Sequence, residues 1–378
     1  MPNPADLRAA ARRHADDIVA PSVDRWESDG RFPRDAALAA AGDGLLGLFA
    51  PKGVGGQGLS FAEGMPVFEE LGRGDAAYAF ALSMHNAVAA AIGRFGSAGV
   101  KRRWGRKLTS GKALGGFSLT EPHAGSDAAA IKARLKPDGD GFRLTGTKGW
   151  VSLCGEAEVF LVVCRTGTRR GTKDVAMVVL DASRAGVETV RLFDTMTSAF
   201  LPIGEMQLRN VRIEADEVLA PPGAGFQAAL GAIDVARTDI AAIAVGLAAQ
   251  ALDTALAYTR DRAIFGGTVL DLQGIQFALA DVETNIVAGR LLYERAAALL
   301  GTPEGAVAAA HAKRFNPDMA LQAAIECAEA LGSYGWLTSS SDLPRRVGLA
   351  RMLQTVDGTR EIQRVVIARD LMRRARHL

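Results

Sequence analysis

Four short stretches carry the residue types from which a reaction could be assembled. Thr120-Glu-Pro-His-Ala-Gly125-Ser126-Asp127 follows an apolar strand end at Phe117-Ser-Leu119 and crowds hydroxyl, carboxylate and amide groups into one loop. Pro122 removes a donor and extends the residue before it. Gly125 lets the chain turn tightly and carry the amide and hydroxyl of Ser126 towards an anion. A phosphate or a flavin suits such a loop, although a surface turn ending in a Ser-Asp cap has the same composition. Lys148-Gly-Trp150-Val-Ser152 closes a later strand with an indole and a hydroxyl. Arg262-Ala-Ile-Phe265-Gly266 ends a long helix, where a guanidinium also offsets the negative helix end. Asp357-Gly358-Thr359 precedes an amphipathic segment, where a carboxylate caps the turn or, once desolvated, removes a proton.

The elements needed to position these groups fall into three runs. From Asp6 to about Lys112 the apolar spacing is helical, through Leu7, Ala11 and Ile18, then Ala37, Ala41 and Leu45, then Phe68, Leu71 and the Ala-rich run to Phe95. Only the Gly-rich stretch Pro51 to Ser60 interrupts it. Lys52 to Gly58 lacks the Gly-Lys-Ser/Thr ending and the preceding strand of a phosphate cradle, and so reads as a turn.

Between Leu114 and about Ala220, runs rich in Val, Leu and Phe alternate with Pro137–Gly141, Gly167–Gly171 and Pro202–Gly204. This predicts antiparallel strands, firmest at Phe142 to Val151 and Val159 to Val163. After Gly225 a stripe through Phe226, Leu230, Ile233, Ile240, Ala244, Leu247, Ala251 and Ala255 predicts a helix of about eight turns. A second helix carries Ile275 to Ile286. A third, from about Glu304 to Ala330, has a kink expected at Pro317. Two shorter helices are hinged at Asp357-Gly358. The fold class is multi-domain α and β: an N-terminal α-helical domain over residues 1–113, a middle antiparallel β domain over 114–221, and a C-terminal four-helix-bundle-like α domain over 222–378.

The chain's 378 residues, 48% hydrophobic, suffice for two or three buried cores. Forty-four basic residues against 42 acidic ones, with the signs interspersed, argue against a nucleic-acid surface and favour small-molecule partners. Cys154, Cys164 and Cys327 lack zinc or disulfide spacing, no metal is expected, and a reducing compartment follows. The longest clean apolar run, Ile240 to Ala249, falls short of the roughly 18 residues of a membrane span. The amino terminus lacks the apolar core of a secretion signal, so a cytoplasmic location is expected.

Taken together, Thr120-Glu-Pro-x-Ala-Gly-Ser-Asp127, Lys148-x-Trp150-x-Ser152, Arg262-x-x-Phe265-Gly266 with Gln273, and Asp357-Gly-Thr-Arg-Glu-Ile-Gln-Arg364 resemble the signatures of the acyl-CoA dehydrogenase family. The resemblance runs from Gly55 to Arg364. It implies FAD as cofactor, bound by Phe117, Leu119, Thr120, Gly125, Ser126, Trp150, Ser152, Arg262, Phe265, Gln273, Glu329, Gly332, Thr359 and Glu361. In the family the Trp flanks the flavin ring, the hydroxyl two residues on sits near N5, and the Arg engages the diphosphate, usually from a neighbouring subunit. A forked guanidinium suits two phosphate oxygens. Substrate contacts are implied for Ser126, Asp234, Arg237, Val356 and Gly358, and Asp357 occupies the position of the base that removes the α-proton of an acyl thioester.

That base is usually Glu in the family. Asp is one methylene shorter, and a displacement of about 1 Å can cost on the order of a hundredfold. The alternative base position beside Arg237 is Ala236, which carries no carboxylate. Val356, Leu153, Glu329 and Gly348-Leu349 depart from the family pattern as well. The expected activity is α,β-dehydrogenation of an acyl-CoA, or of an acyl-carrier-protein thioester. An electron-transfer flavoprotein is the expected acceptor and a homo-oligomer, dimer or tetramer, the expected assembly. The alternatives are a flavin oxidase of the nitroalkane type using the same Asp, and a flavin-binding subunit of low activity in a mixed oligomer.

Overall fold

The computed structural model describes residues 3–167 and 171–376, so Thr168 to Arg170, inside the expected separator Gly167–Gly171, and both chain ends lie outside the described residues. Helices α1 (Pro4–His14), α2 (Val23–Asp29), α3 (Arg34–Gly42), α4 (Phe61–Gly74), α5 (Ala76–Phe95) and the short α6 (Ala98–Val100) and α7 (Arg106–Thr109) precede the strands. Strands β1 (Gly115–Ser118), β2 (Arg134–Asp138), β3 (Gly141–Ser152), β4 (Val159–Arg165), β5 (Val175–Asp181), β6 (Val187–Leu192), β7 (Ile203–Glu214) and β8 (Val218–Ala220) follow. Helices α8 (Gly225–Asp261), α9 (Gln273–Leu299), α10 (Gly305–Ala330), α11 (Leu343–Leu353) and α12 (Arg360–Ala375) complete the chain. Pro317 lies inside an unbroken α10.

The residues group into two compact units. The first is Met1–Ala10, Asp24–Ser60 and Ala81–Ile233, and the second is Ala11–Val23, Phe61–Phe80 and Asp234–Leu378.

In the first unit one sheet runs β6-β7-β3-β2-β4-β5-β8, with β1 also beside β4. Strands β4 and β5 are buried along their whole length, as their unbroken Val-Leu-Phe content requires. The expected antiparallel pairing holds for β2–β3, β3–β7, β6–β7, β4–β5 and β5–β8, while β1 and β2 each pair with β4 in parallel. Apolar alternation has the same period beside a parallel or an antiparallel neighbour, so strand direction was not written in the pattern. Val88, Ile92, Trp104, Leu108, Val159, Leu161, Val163, Met177 and Val179 share one core.

In the second unit helix backbones meet at glycines. A Cβ on Gly246 would lie 1.9 Å from the Glu69 carbonyl oxygen, and one on Gly72 would lie 2.5 Å from that of Ile243, so α4 and α8 touch without side chains between them. Asn316 donates from Nδ2 to the carbonyls of Ala241 and Gly289, both at 2.9 Å, and so ties α10 to α8 and α9. Glu69 accepts from Arg290 at 2.7 Å and from the Tyr293 hydroxyl. Measured as helices rather than as clean apolar runs, α5 and α8 do reach the length and composition of a membrane span. They are 89% and 72% buried over their most apolar windows, which marks them as core helices.

Candidate active site

The sequence-derived site residues of the first unit cluster around β1, the loop after it and the end of β3. Lys148, wholly buried, donates from Nζ to the Leu119 carbonyl at 2.8 Å and to Glu121 Oε1 at 3.0 Å. Glu121 in turn accepts from the backbone amides of Lys132 at 2.6 Å and Ala133 at 2.8 Å. Burial draws the Lys148 amine below its ordinary range, and the Glu121 carboxylate holds it up. A buried pair with its remaining lone pairs satisfied fixes a loop firmly, and this one sets the path of residues 119–133.

With the backbone held this way, Phe117, Leu119 and Thr120 are half-buried and Gly125 and Ser126 are exposed. The β3–β7 register shifts between Lys148 and Val151, where Gly149 and Trp150 oppose Glu205 alone. Such a bulge re-aims a side chain. Trp150 has φ +56° and is 63% exposed, with its ring 4.7 Å from that of Phe193. Ser152, two residues on, is half-buried.

The second unit holds the other set. Asp357, at φ +50°, is half-buried as a residue, but its Oδ2 is buried without a hydrogen-bond partner. Gly358, at φ +104°, follows it, and a Cβ there would stand 2.9 Å from Gln363 Nε2 and 3.6 Å from Arg237 Nη2. Two donors hold this turn: Gln363 Nε2 reaches the Gly358 carbonyl at 3.0 Å, and buried Lys313 reaches the Leu353 carbonyl at 2.6 Å. Thr359 caps α12 by accepting from the Ile362 amide, Glu361 lies exposed in its first turn, and Val356 is half-buried. On α8, Arg237 donates from Nη1 to Asp234 Oδ1 at 2.9 Å, while its Nε is buried and unpartnered.

Burial raises the Asp357 carboxyl to about 6, and the charges of Lys313 and Arg237 limit the rise. Burial likewise lowers the Lys313 amine to about 7, against the pull of Asp357. Asp234 is also raised by burial, and Arg237 opposes that. A carboxyl titrating near the working pH is suited to general-base chemistry.

Arg262, Phe265, Gln273, Glu329 and Gly332, in the same unit, are all exposed. The two-residue strands 263–264 and 267–268 form a small ribbon that carries Phe265, 92% exposed, at its tip. The Arg262 guanidinium carbon lies 5.7 Å from the Tyr334 ring centroid. Among the described residues no group of three or more His, Cys, Asp and Glu is placed to hold a metal ion.

Lys313, Asp239 and the Lys148–Glu121 pair were not singled out from the sequence. Their signal was present: Lys313 lies one turn from Ala309 and Asn316 on the buried face of α10, and Asp239 lies between Ala236 and Ile243 on that of α8. An ionisable residue on an apolar stripe needs a partner or a neutral form.

Three family models match in order: "Acyl-CoA dehydrogenase, N-terminal domain" over residues 2–112, "middle domain" over 116–211 and "C-terminal domain" over 223–372. The chain belongs to the acyl-CoA dehydrogenase family, with helical terminal parts and a central sheet region. It is 32% identical to the probable acyl-CoA dehydrogenase FadE25 of Mycobacterium tuberculosis, over 97% of this chain and 95% of that one. Butyryl-CoA dehydrogenase from Megasphaera elsdenii superposes with a TM-score of 0.93 at 28% identity, covering 98% of each chain. A glutaryl-CoA dehydrogenase of Mycobacterium smegmatis, solved in complex with FADH2, gives a TM-score of 0.90 at 27% identity, covering 97% of this chain and 94% of the other.

Proposed function

We propose that this protein is an FAD-dependent acyl-CoA dehydrogenase in which Asp357 removes the α-proton of an acyl thioester. The observation that carries this reading is the buried, unpartnered Oδ2 of Asp357 on a carboxyl raised to about 6. A carboxylate held there by Lys313 and Gln363, and not spent on a local cap, is suited to take up a proton.

The residues of the first unit fit a flavin. Thr120, Ser126 and Ser152 are hydroxyl-bearing residues at least partly open to solvent, and the bulge leaves Trp150 exposed on a backbone fixed by Lys148 and Glu121. In the second unit, Arg262, Phe265, Gln273, Glu329 and Gly332 are exposed, Glu361 with them, and the Thr359 hydroxyl caps a helix; all are proposed as cofactor contacts. FAD, when bound, supplies an acceptor for the hydride lost from the substrate's β-carbon.

The chain's own part is positional and acid–base. Ser126, Asp234, Arg237, Val356 and Gly358 would bind and orient the thioester. The Asp357 amide would donate to the thioester carbonyl, which acidifies the α-carbon, and the Asp357 carboxylate would take the proton. The Arg237–Asp234 pair supports a fixed orientation beside the Gly358 turn.

The proposed assembly is a homodimer or homotetramer, supported by exposed Phe265, Phe277, Leu291 and Trp336. Electrons would pass to an electron-transfer flavoprotein. Domain limits of 1–113, 114–221 and 222–378 are proposed, in keeping with the matched segments. Three free, buried cysteines suit a reducing compartment, and the cytoplasm is the proposed location.

The test is anaerobic mixing of the purified yellow protein with short, branched, long and aromatic acyl-CoAs while the flavin absorbance is followed. Bleaching by one class supports the reading and names the substrate. No bleaching by any of them, with oxygen consumed on nitroalkanes, would replace it with an oxidase.

A further inference from the structure

Arg165 ends β4 and is 6% exposed, so its guanidinium must find its partners inside the fold. Its donors reach two segments. Nε donates to the Ile131 carbonyl at 2.7 Å, and Nη2 to the Ala129 carbonyl. Nη2 also reaches the Gly171 carbonyl at 2.6 Å, and Nη1 pairs with Asp174 Oδ1. The backbone amide of the same residue donates to the Ala133 carbonyl at 2.8 Å. Strand β2 meets β4 at the register pair Arg134 and Arg165 alone, so the sheet itself supplies little of this joint. Beyond that pair Arg165 takes the carbonyls of Ala129, Ile131 and Ala133, while Glu121 takes the amides of Lys132 and Ala133.

We infer that Arg165 is the positioning residue for the loop Gly125-Ser126-Asp127 and sets where Ser126 meets a diphosphate-bearing ligand, FAD or coenzyme A. The inference rests on the proposed role of Ser126 as a ligand contact. All three loop residues are exposed, so their position is inherited from the anchors at either end. At one end Glu121 exchanges both backbone bonds with buried Ala124, at 3.1 and 2.9 Å. At the other end the Ala130 amide donates to the Asp127 carbonyl at 3.0 Å, closing the short turn 128–130. Arg165 holds that turn through Ala129 and the residue after it through Ile131.

The residue type follows from the task. Nε and Nη2 lie in one plane at a fixed separation and engage two carbonyls two residues apart, which the single ammonium of a Lys does not reproduce. Carbonyl oxygens oppose an anion, and those of Ala129 and Ile131 are engaged on a cation instead. Asp174 sits on the remaining nitrogen, Nη1, so that loosening this ion pair leaves both loop contacts in place. The two ends of the guanidinium are thus separable by mutation.

The experiment uses the full-length FAD-loaded protein with Ser126→Ala, Arg165→Lys, the two combined, and Asp174→Asn. FAD release on dilution is read by flavin fluorescence, binding of coenzyme A by titration calorimetry, and folding by the melting temperature. Ser126→Ala and Arg165→Lys are each expected to weaken the same ligand by about tenfold, the loss of roughly one hydrogen bond. The combined variant should be no weaker than Arg165→Lys, because a displaced Ser126 has no contact left to lose. Asp174→Asn should lower the melting temperature and leave both affinities within about twofold. The ligand on which the two losses overlap is the one that Ser126 meets. Losses that add, or an Asp174→Asn variant that weakens binding as much as Arg165→Lys does, overturn the inference and leave Arg165 a support of the fold alone. If Ser126→Ala changes neither affinity, the assignment of Ser126 as a contact fails and the inference with it, whereas additive losses strike Arg165 only. Should Arg165→Lys fail to melt cooperatively, Arg165→Gln takes its place in the same cycle.

Discussion

Lys313→Met removes the cation that attracts Asp357 and leaves a side chain of similar length. Lys313 is buried, and it opposes the desolvation that lifts Asp357 to about 6. An opposite charge at close range is worth roughly 1–3 pH units to a carboxylate. The Asp357 carboxyl in the variant should therefore titrate between about 7 and about 9. At pH 7 its ionised fraction would fall from roughly nine-tenths to between about one-half and about one-hundredth.

Anaerobic stopped-flow reduction over a pH series reads this directly. The acid limb should move up while the high-pH plateau survives. A second signature comes from stability. The folded Lys313 amine is lowered from 10.5 to about 7, so the wild type gains stability as pH rises through that window, where the unfolded chain binds more protons. Met cannot titrate and should lack that slope. An acid limb that stays near pH 6 in the variant, with an unchanged plateau, would refute the coupling of Lys313 to Asp357.

Asp357→Asn should lower flavin reduction by about a hundredfold to ten-thousandfold while the protein stays yellow, as expected for loss of a general base. Lys148→Met strands the Glu121 carboxylate in a buried site and should cost about 3–5 kcal/mol in urea unfolding, with weaker flavin retention on gel filtration. Gly116→Ala places a Cβ 2.4 Å from the Phe160 ring and should cost about 1–3 kcal/mol by the same assay. Burial pushes the Cys164 thiol up to about 12, so a thiol reagent should leave it unlabelled in the native protein and label it in denaturant.

The helices were legible because their apolar residues recur at the helical period over many turns. The stripe from Phe226 to Ala255 lies within α8, and Ile275 to Ile286 within α9. The strands at Phe142 and Val159 were legible from composition, and so was most of their antiparallel pairing; the parallel contact of β1 with β4 was not, because β1 reaches β4 only after the intervening β2–β3 hairpin. At the site, the turn at Asp357 and the exposed tip at Phe265 could be placed from short motifs. Lys313 and Asp239 could not. Each is a single ionisable residue on an apolar helix face, and its meaning depends on which segment packs against it, a long-range contact that periodicity does not encode.

The left-handed backbone at Asp357 has a bearing on why this residue type occupies the position. That conformation costs an L-residue roughly 1–2 kcal/mol, and Asp and Asn accept it more readily than residues with longer side chains. Restoring the extra methylene with Asp357→Glu would lengthen reach while straining the turn that Lys313 and Gln363 hold. A stable turn and a longer carboxylate arm therefore make opposite demands on this position, and Asp meets the first.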